Sequence, residues 1–154
     1  MRKFITIVED AQSSPTYLYH GTSSFKWNSS IKYDGLTPQG GSGFKWLFLT
    51  DKISEAEGYA DYSVELDSDR EDEEDIEDNA PVLLRVRFNA LDSSKFGPDD
   101  YELDTVVSRK SDPRLARYTS WTQVPWQVSL QTVNQITYAG RIPPNLIELL
   151  PFPQ

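Results

Sequence analysis

Apolar and polar positions along this chain fall into short alternating runs broken by turn residues, a pattern of many short strands and few helices. Tyr17-Leu18-Tyr19-His20 is aromatic and β-prone, and Gly21-Thr22 is expected to end that strand. Ser23 and Ser24 suit the N-cap of a helical segment reaching Asp34, with Gly35 as its stop. Thr37 to Gly43 reads as a loop, and Leu47-Phe48-Leu49-Thr50 as a buried strand. Asp51 is then placed to cap a helix over Ile53 to Tyr62, because Ile53, Ala56, Tyr59 and Ala60 recur at helical spacing.

The second half holds one clear strand, Pro81 to Phe88, with Arg85 and Arg87 on a common face. Leu91 to Leu130 is rich in Asp, Ser and Pro, with strand-like pieces at Asp104–Ser108 and Gln123–Leu130. Gln135 to Tyr138 is a short strand, Gly140 turns, and Ile142-Pro143-Pro144 leads into Leu146 to Leu150. No internal repeat emerges. The expected class is α+β with a largely antiparallel sheet, in one domain over residues 15–154, preceded by an appended extension over residues 1–14.

Length supports a single core: 154 residues are enough to bury one without a metal or disulfide. The chain has no cysteine, which excludes a disulfide scaffold, a thiolate metal site and a cysteine nucleophile. Its one histidine excludes any site needing two imidazoles. Met1 to Asp10 lacks the apolar stretch of a signal peptide, and nothing approaches a membrane span, so the expected location is cytoplasmic with no membrane partner.

The 15 basic and 24 acidic residues give a net charge of −9. Glu65 to Asp78 alone holds ten acids and one arginine, so this run accounts for the whole excess and the rest of the chain is neutral. Like-charge repulsion there predicts a solvated, flexible loop, one suited to a basic partner. Because the body is not acidic, a nucleic-acid acceptor stays open.

Three segments carry candidate chemistry. They are Tyr19-His20-Gly21-Thr22, followed by Gly35-Leu36-Thr37-Pro38; Leu47 to Asp51 leading into Ala56-Glu57-Gly58-Tyr59-Ala60; and Gln135 to Pro144. Their order and the eight-residue interval from Asp51 to Tyr59 resemble the ADP-ribosyltransferase superfamily, in the His–Tyr–Glu branch of diphtheria toxin and the poly(ADP-ribose) polymerases. The resemblance implies split antiparallel sheets with a few short helices, and NAD as substrate. Cleaving nicotinamide from ribose creates an oxocarbenium-like centre, as in glycoside hydrolysis.

By resemblance, His20 bonds a ribose hydroxyl, Gly21 pairs through its backbone with the carboxamide, and Thr22 lines the same turn. Phe48 and Tyr59 sandwich the nicotinamide ring; Phe48 stands where the family usually has tyrosine and keeps the stacking face without the hydroxyl. His20, Tyr59 and Gln135 form the implied catalytic set. Gln135 replaces the family glutamate: it can orient a hydroxyl but carries no charge and is no base. Losing a charged hydrogen bond in favour of a neutral one costs about 1–2 kcal/mol, which slows a reaction roughly 5- to 30-fold. This favours mono-transfer to a protein or nucleic-acid acceptor over chain elongation. Arg109, Lys110, Arg114, Arg117, Tyr118, Trp121 and Trp126 precede the third segment, where the family selects targets.

Three other readings meet the same residues. A module of the same fold that binds NAD, ADP-ribose or a partner without turnover draws on Phe48 and Gln135. An RNA 2′-phosphotransferase also opens with a His-Gly-Thr-like turn but relies on an arginine set that is not evident here. An acidic lure for a basic protein would use residues 65–78. A Ser–His–Asp hydrolase finds no G-x-S-x-G elbow.

Overall fold

A computed structural model describes residues 14–38, 46–68, 78–106 and 112–152. The strands are β1 (Tyr17–Ser23), β2 (Leu47–Thr50), β3 (Pro81–Arg87), β4 (Phe96–Pro98), β5 (Gln135–Tyr138) and β6 (Ile147–Leu150). They form one sheet in the order β4-β5-β2-β1-β3-β6, every described pairing antiparallel. The α+β expectation therefore stands, whereas the split antiparallel sheets that the resemblance implies are here a single six-stranded sheet. That sheet is nonetheless narrow-waisted. β1 pairs with β3 along seven residues but with β2 at Tyr19↔Thr50 alone.

The helical elements are α1 (Ser24–Lys26, a wider π-type turn over Trp27–Ile31, then Lys32–Asp34), α2 (Ile53–Ser68), α3 (Asp100–Val106) and α4 (Trp126–Val133). The cap of α1 is as anticipated: Ser23 Oγ accepts from Lys26 N–H at 3.2 Å. Gly35 ends α1 at φ 82, a left-handed value that glycine tolerates. It also lets Leu36 form a bridge with Ile142, where an added Cβ on Gly35 would lie 2.1 Å from the Ile142 carbonyl oxygen.

Strand alternation gives the sheet two unlike faces. Leu18, Leu84, Val86, Leu47, Leu49, Ile136 and Tyr138 turn one way and meet Ile31 of α1 and Leu130 of α4 in the main core. The opposite face carries Gly21, Ser23, Phe48, Thr50 and Gln135, and α2 packs on it. A Cβ on Gly21 would lie 1.9 Å from the Ala56 carbonyl oxygen and 2.6 Å from the Ala60 nitrogen. Ala56 and Ala60 are fully buried, so three small residues let the helix and strand backbones touch. A second, smaller core joins Leu103 of α3, Leu115, Val124 and Val133.

Several sequence expectations change. Gly21-Thr22 does not end β1, because Gly21↔Leu83 and Thr22↔Val82 continue the ladder with β3. The strands expected at Asp104–Ser108 and Gln123–Leu130 are replaced by helix wherever the two segments are described: α3 covers Asp104 to Val106, with residues 107 and 108 outside the described residues, and α4 starts at Trp126. Their valines and threonines look β-prone, but Asp99 caps α3 through the Glu102 N–H at 3.0 Å, and Asn134 closes α4 in the left-handed region. Asp51 does not act as the expected cap of α2. The Lys52 N–H goes to Thr50 Oγ1 at 3.1 Å, the Asp51 N–H donates to the Asn134 carbonyl at 3.3 Å, and Asp51 Oδ1 is buried with no described partner.

The acidic run is not wholly a loop, since α2 extends through Ser68 and buries Asp67. Asp67 accepts from Ser23, from Lys26 Nζ at 2.8 Å and from Asn79 Nδ2 at 3.0 Å. Helical propagation on the sheet, with this polar cluster as its anchor, overrides local charge repulsion. Residues 69–77 of that run and residues 1–13 of the 1–14 extension lie outside the described residues. No helix among the described residues is long and apolar enough to cross a membrane.

Two stability tests follow from these contacts. Gly21→Ala forces β1 and α2 apart, and urea unfolding should show a loss of at least about 1–3 kcal/mol; an unchanged midpoint would refute the close approach. Burial raises the Asp67 carboxyl, but the bonds from Lys26, Ser23 and Asn79 outweigh it and hold the group below its ordinary 3.8. Its contribution is thus complete above about pH 4 and lost as pH falls through the depressed folded value. Asp67→Asn should remove that acid-limb dependence in a pH series of unfolding curves.

Candidate active site

The expected site residues gather around the waist of the sheet. β2 is the shared strand, pairing Thr50 with both Tyr19 and Gln135 in a single row, and Phe48 with Thr137 in the next. Beyond Tyr19↔Thr50, β1 and β2 have no further register pair, so His20, Gly21 and Thr22 border a gap opposite Leu47 to Leu49. His20 fills part of it, with Nδ1 3.1 Å from the Phe48 carbonyl oxygen. A carbonyl only accepts, so Nδ1 carries the proton and Nε2 presents a lone pair. Burial lowers the His20 pKa, the Phe48 bond opposes that, and Lys26 lowers it further, so the ring is neutral at pH 7.

On the α2 face, Tyr59 Oη donates to Gln135 Oε1 at 2.8 Å. Gln135 is fully buried, while Tyr59 keeps 39% of its surface exposed. With Oε1 accepting from Tyr59, the amide nitrogen is the end of the Gln135 side chain that donates. The Tyr59 hydroxyl is pushed up to about 12, first by burial, then by Glu102, Asp99 and Glu55, with the Gln135 bond opposing. It is therefore a neutral donor at every physiological pH.

The remaining expected residues are less free. Gly21 is spent on contact with α2, so packing alone already requires a glycine there. Thr22 is buried within β1 rather than lining a turn, because the strand runs on through Ser23. By the pleat His20 and Thr22 start on the face opposite Gln135; the His20 ring returns to the sheet plane only by reaching the β2 backbone.

Residues not singled out from sequence fix the Gln135 end. Thr50 Oγ1 donates to the Asn134 carbonyl at 2.7 Å, tying the α4–β5 turn to β2. Fully buried Ser129 donates to the Gln135 carbonyl at 2.7 Å and accepts the Asp99 N–H at 3.0 Å. Asp99 directly follows β4, whose Pro98 pairs with Ile136, so it stands beside Gln135. The one readable signal was Asp99-Asp100-Tyr101-Glu102, a capping-box spacing. Burial is the main reason Asp99 rises to about 6, with Glu102 and Asp100 adding to it and backbone N–H bonds opposing. Glu102 is also raised, by burial and by Glu55. The surroundings of Tyr59 and Gln135 are thus electronegative.

The basic and aromatic group has mostly local work. Arg114 pairs with Asp112 at 2.9 Å, Arg117 lies against the Tyr118 ring, Trp121 donates to Asp104 at 2.9 Å, and Trp126 packs on Phe88 and Phe96. Arg109 and Lys110 lie outside the described residues. Neither a protein-family model nor a curated protein matches this chain.

The raised Asp99 gives a signed prediction. Between pH 3.8 and about 6 the folded state holds its proton more tightly than the unfolded chain, so stability falls as pH rises through that window. Asp99→Asn keeps a good cap and removes the ionisation, and should recover on the order of 2 kcal/mol at pH 7.5 relative to pH 4. Parallel pH–stability curves for the two proteins would contradict the assignment.

Proposed function

We propose that this chain is a mono-ADP-ribosyltransferase that cleaves NAD between nicotinamide and ribose and passes ADP-ribose to a macromolecular acceptor. The observation that carries the reading is the Tyr59–Gln135 bond beside a sheet gap spanned by His20. In this reading His20 Nε2 accepts from a ribose hydroxyl, and the Phe48 and Tyr59 rings flank nicotinamide. Tyr59 holds Gln135 Oε1, which turns the two amide N–H groups toward a ribose oxygen. The C1′–nitrogen bond breaks with its electron pair leaving on neutral nicotinamide. The acceptor's nucleophile then bonds C1′ and gives up its proton.

Gln135 brings no charge to this step, and the acids around it supply what it lacks. Asp99, Glu102 and Glu55 set a negative potential at Tyr59, and a developing oxocarbenium cation is favoured there. A chain that binds NAD without turnover is the second reading, and Phe48 and Gln135 favour it, since they keep a stacking face and a hydrogen-bonding amide without the hydroxyl and the charge.

Labelled NAD incubated with the protein and a cell extract separates the two by following nicotinamide release and label transfer. Transfer is expected; binding with neither release nor transfer would leave only the non-catalytic module, and release alone a glycohydrolase. His20→Ala should abolish activity, and unchanged rates would dismiss the site. Gln135→Ala should slow release, whereas Gln135→Glu keeps or raises it. Glu102→Gln should lower the cleavage rate a few-fold, about 0.5–1 kcal/mol in the barrier, with NAD affinity little changed.

A further inference from the structure

A cavity of roughly 340 Å³ opens at the β4–β5 end of the sheet, lined among others by Trp46, Lys95, Phe96, Asp100, Thr122 and Thr137. Its volume lies at the small end of ligand pockets, about 300–1,000 Å³. Thr137 follows Gln135 by two residues on the same strand face, so the cavity adjoins the candidate site about 7 Å along β5. The lining is chemically mixed. Trp46 is 41% exposed, which leaves a large apolar residue in part open to solvent at the cavity. The Lys95 side chain lies across Gly140, where an added Cβ would be 2.8 Å from its Cδ. Among the described residues neither Lys95 nor Asp100 is in an ion pair, and the two opposite charges do not pair with each other.

We propose that this cavity seats one nucleotide of a nucleic-acid acceptor, with the base against Trp46, a phosphate on Lys95 and base N–H groups on Asp100. A nucleotide satisfies all three groups together: a flat ring, an anion and a donor edge. An arginine side chain would suit Trp46 and Asp100 but meet Lys95 with like charge. An acidic side chain would suit Lys95 but oppose Asp100. The Asp100 carboxylate further selects bases with an amino edge (guanine, adenine and cytosine) over uracil. The role as acceptor subsite rests on the transferase reading, whereas nucleotide binding itself does not.

The test is tryptophan fluorescence of the full chain titrated with GMP, AMP, CMP and UMP, with inorganic phosphate as the anion control. Saturable quenching is expected for the first three and weaker binding for UMP. Trp46→Phe should remove the quench, Lys95→Ala should weaken binding measured by calorimetry about tenfold or more, and Asp100→Asn should erase the discrimination against UMP. No saturable response to any mononucleotide, an unchanged affinity in Lys95→Ala, or the same quench from phosphate alone would overturn the proposal. Tighter binding of an arginine-bearing peptide than of GMP would do so as well, in favour of a protein acceptor. Displacement of GMP by NAD at matching affinity would assign the cavity to the adenylate end of NAD and overturn the acceptor role. Nucleotide binding without NAD cleavage would sink the transferase while leaving the pocket, and cleavage without nucleotide binding would do the reverse.

Discussion

Between β1 and β2 the sheet is held at Tyr19↔Thr50, and the arrangement of the candidate site depends on how that narrow junction is filled. A full ladder there would consume the backbone of both strands and leave no space between them. Here the His20 ring takes the Phe48 carbonyl instead, and α2 closes the gap from one face through Gly21, Ala56 and Ala60. Thr50 then extends the row to Gln135 and pins the turn before it. One short strand therefore sets the positions of His20, Phe48, Tyr59 and Gln135 relative to one another.

The electrostatics around this junction work against stability at neutral pH. Asp99 rises to about 6 because it is buried near other acids, and Glu102 and Tyr59 are shifted in the same direction. A fold does not gain by concentrating like charge where water is excluded. The cost is limited here because Asp99 accepts backbone N–H bonds from the start of α3, and because Ser129 locks the neighbouring backbone groups. The same negative surround is what a cationic centre requires, so the local cost and the proposed chemistry share one cause.

Sequence pattern recovered the elements whose burial alternates cleanly. β2 and β5 match their expected spans, β3 ends one residue early, and α1 stops at Gly35 as its left-handed cap requires. It missed α3 and α4, whose valines and threonines favour strands locally; Asp99, Pro125 and Asn134 impose the helical ends, and burial of Leu103, Leu130 and Val133 holds them. Of the candidate site, Tyr59 was legible on a helix of regular spacing and Gln135 at the start of a strand, whereas His20, read at a strand end, lies in the middle of β1. The partners Ser129, Thr50 and Asn134 were not legible, since a hydroxyl or a turn residue gives no periodic signal and its bond is made across 84 residues or across a sheet edge. The two opposed faces on which His20 and Gln135 begin were equally hidden, as they depend on register between strands far apart in sequence.

The Asp67 cluster also bears on how the acidic run can vary. Asn79 and Asp67 bond across only 12 positions of chain, and Ser23 and Lys26 anchor the same carboxylate. The exit from α2 and the entry to β3 are therefore fastened at a common point, whatever lies between. Loop-closure entropy grows slowly with length, about 0.6 kcal/mol per doubling. Lengthening or shortening the intervening stretch then changes the net charge of the molecule at almost no expense to its fold. Charge content and architecture are thereby free to diverge independently in this chain.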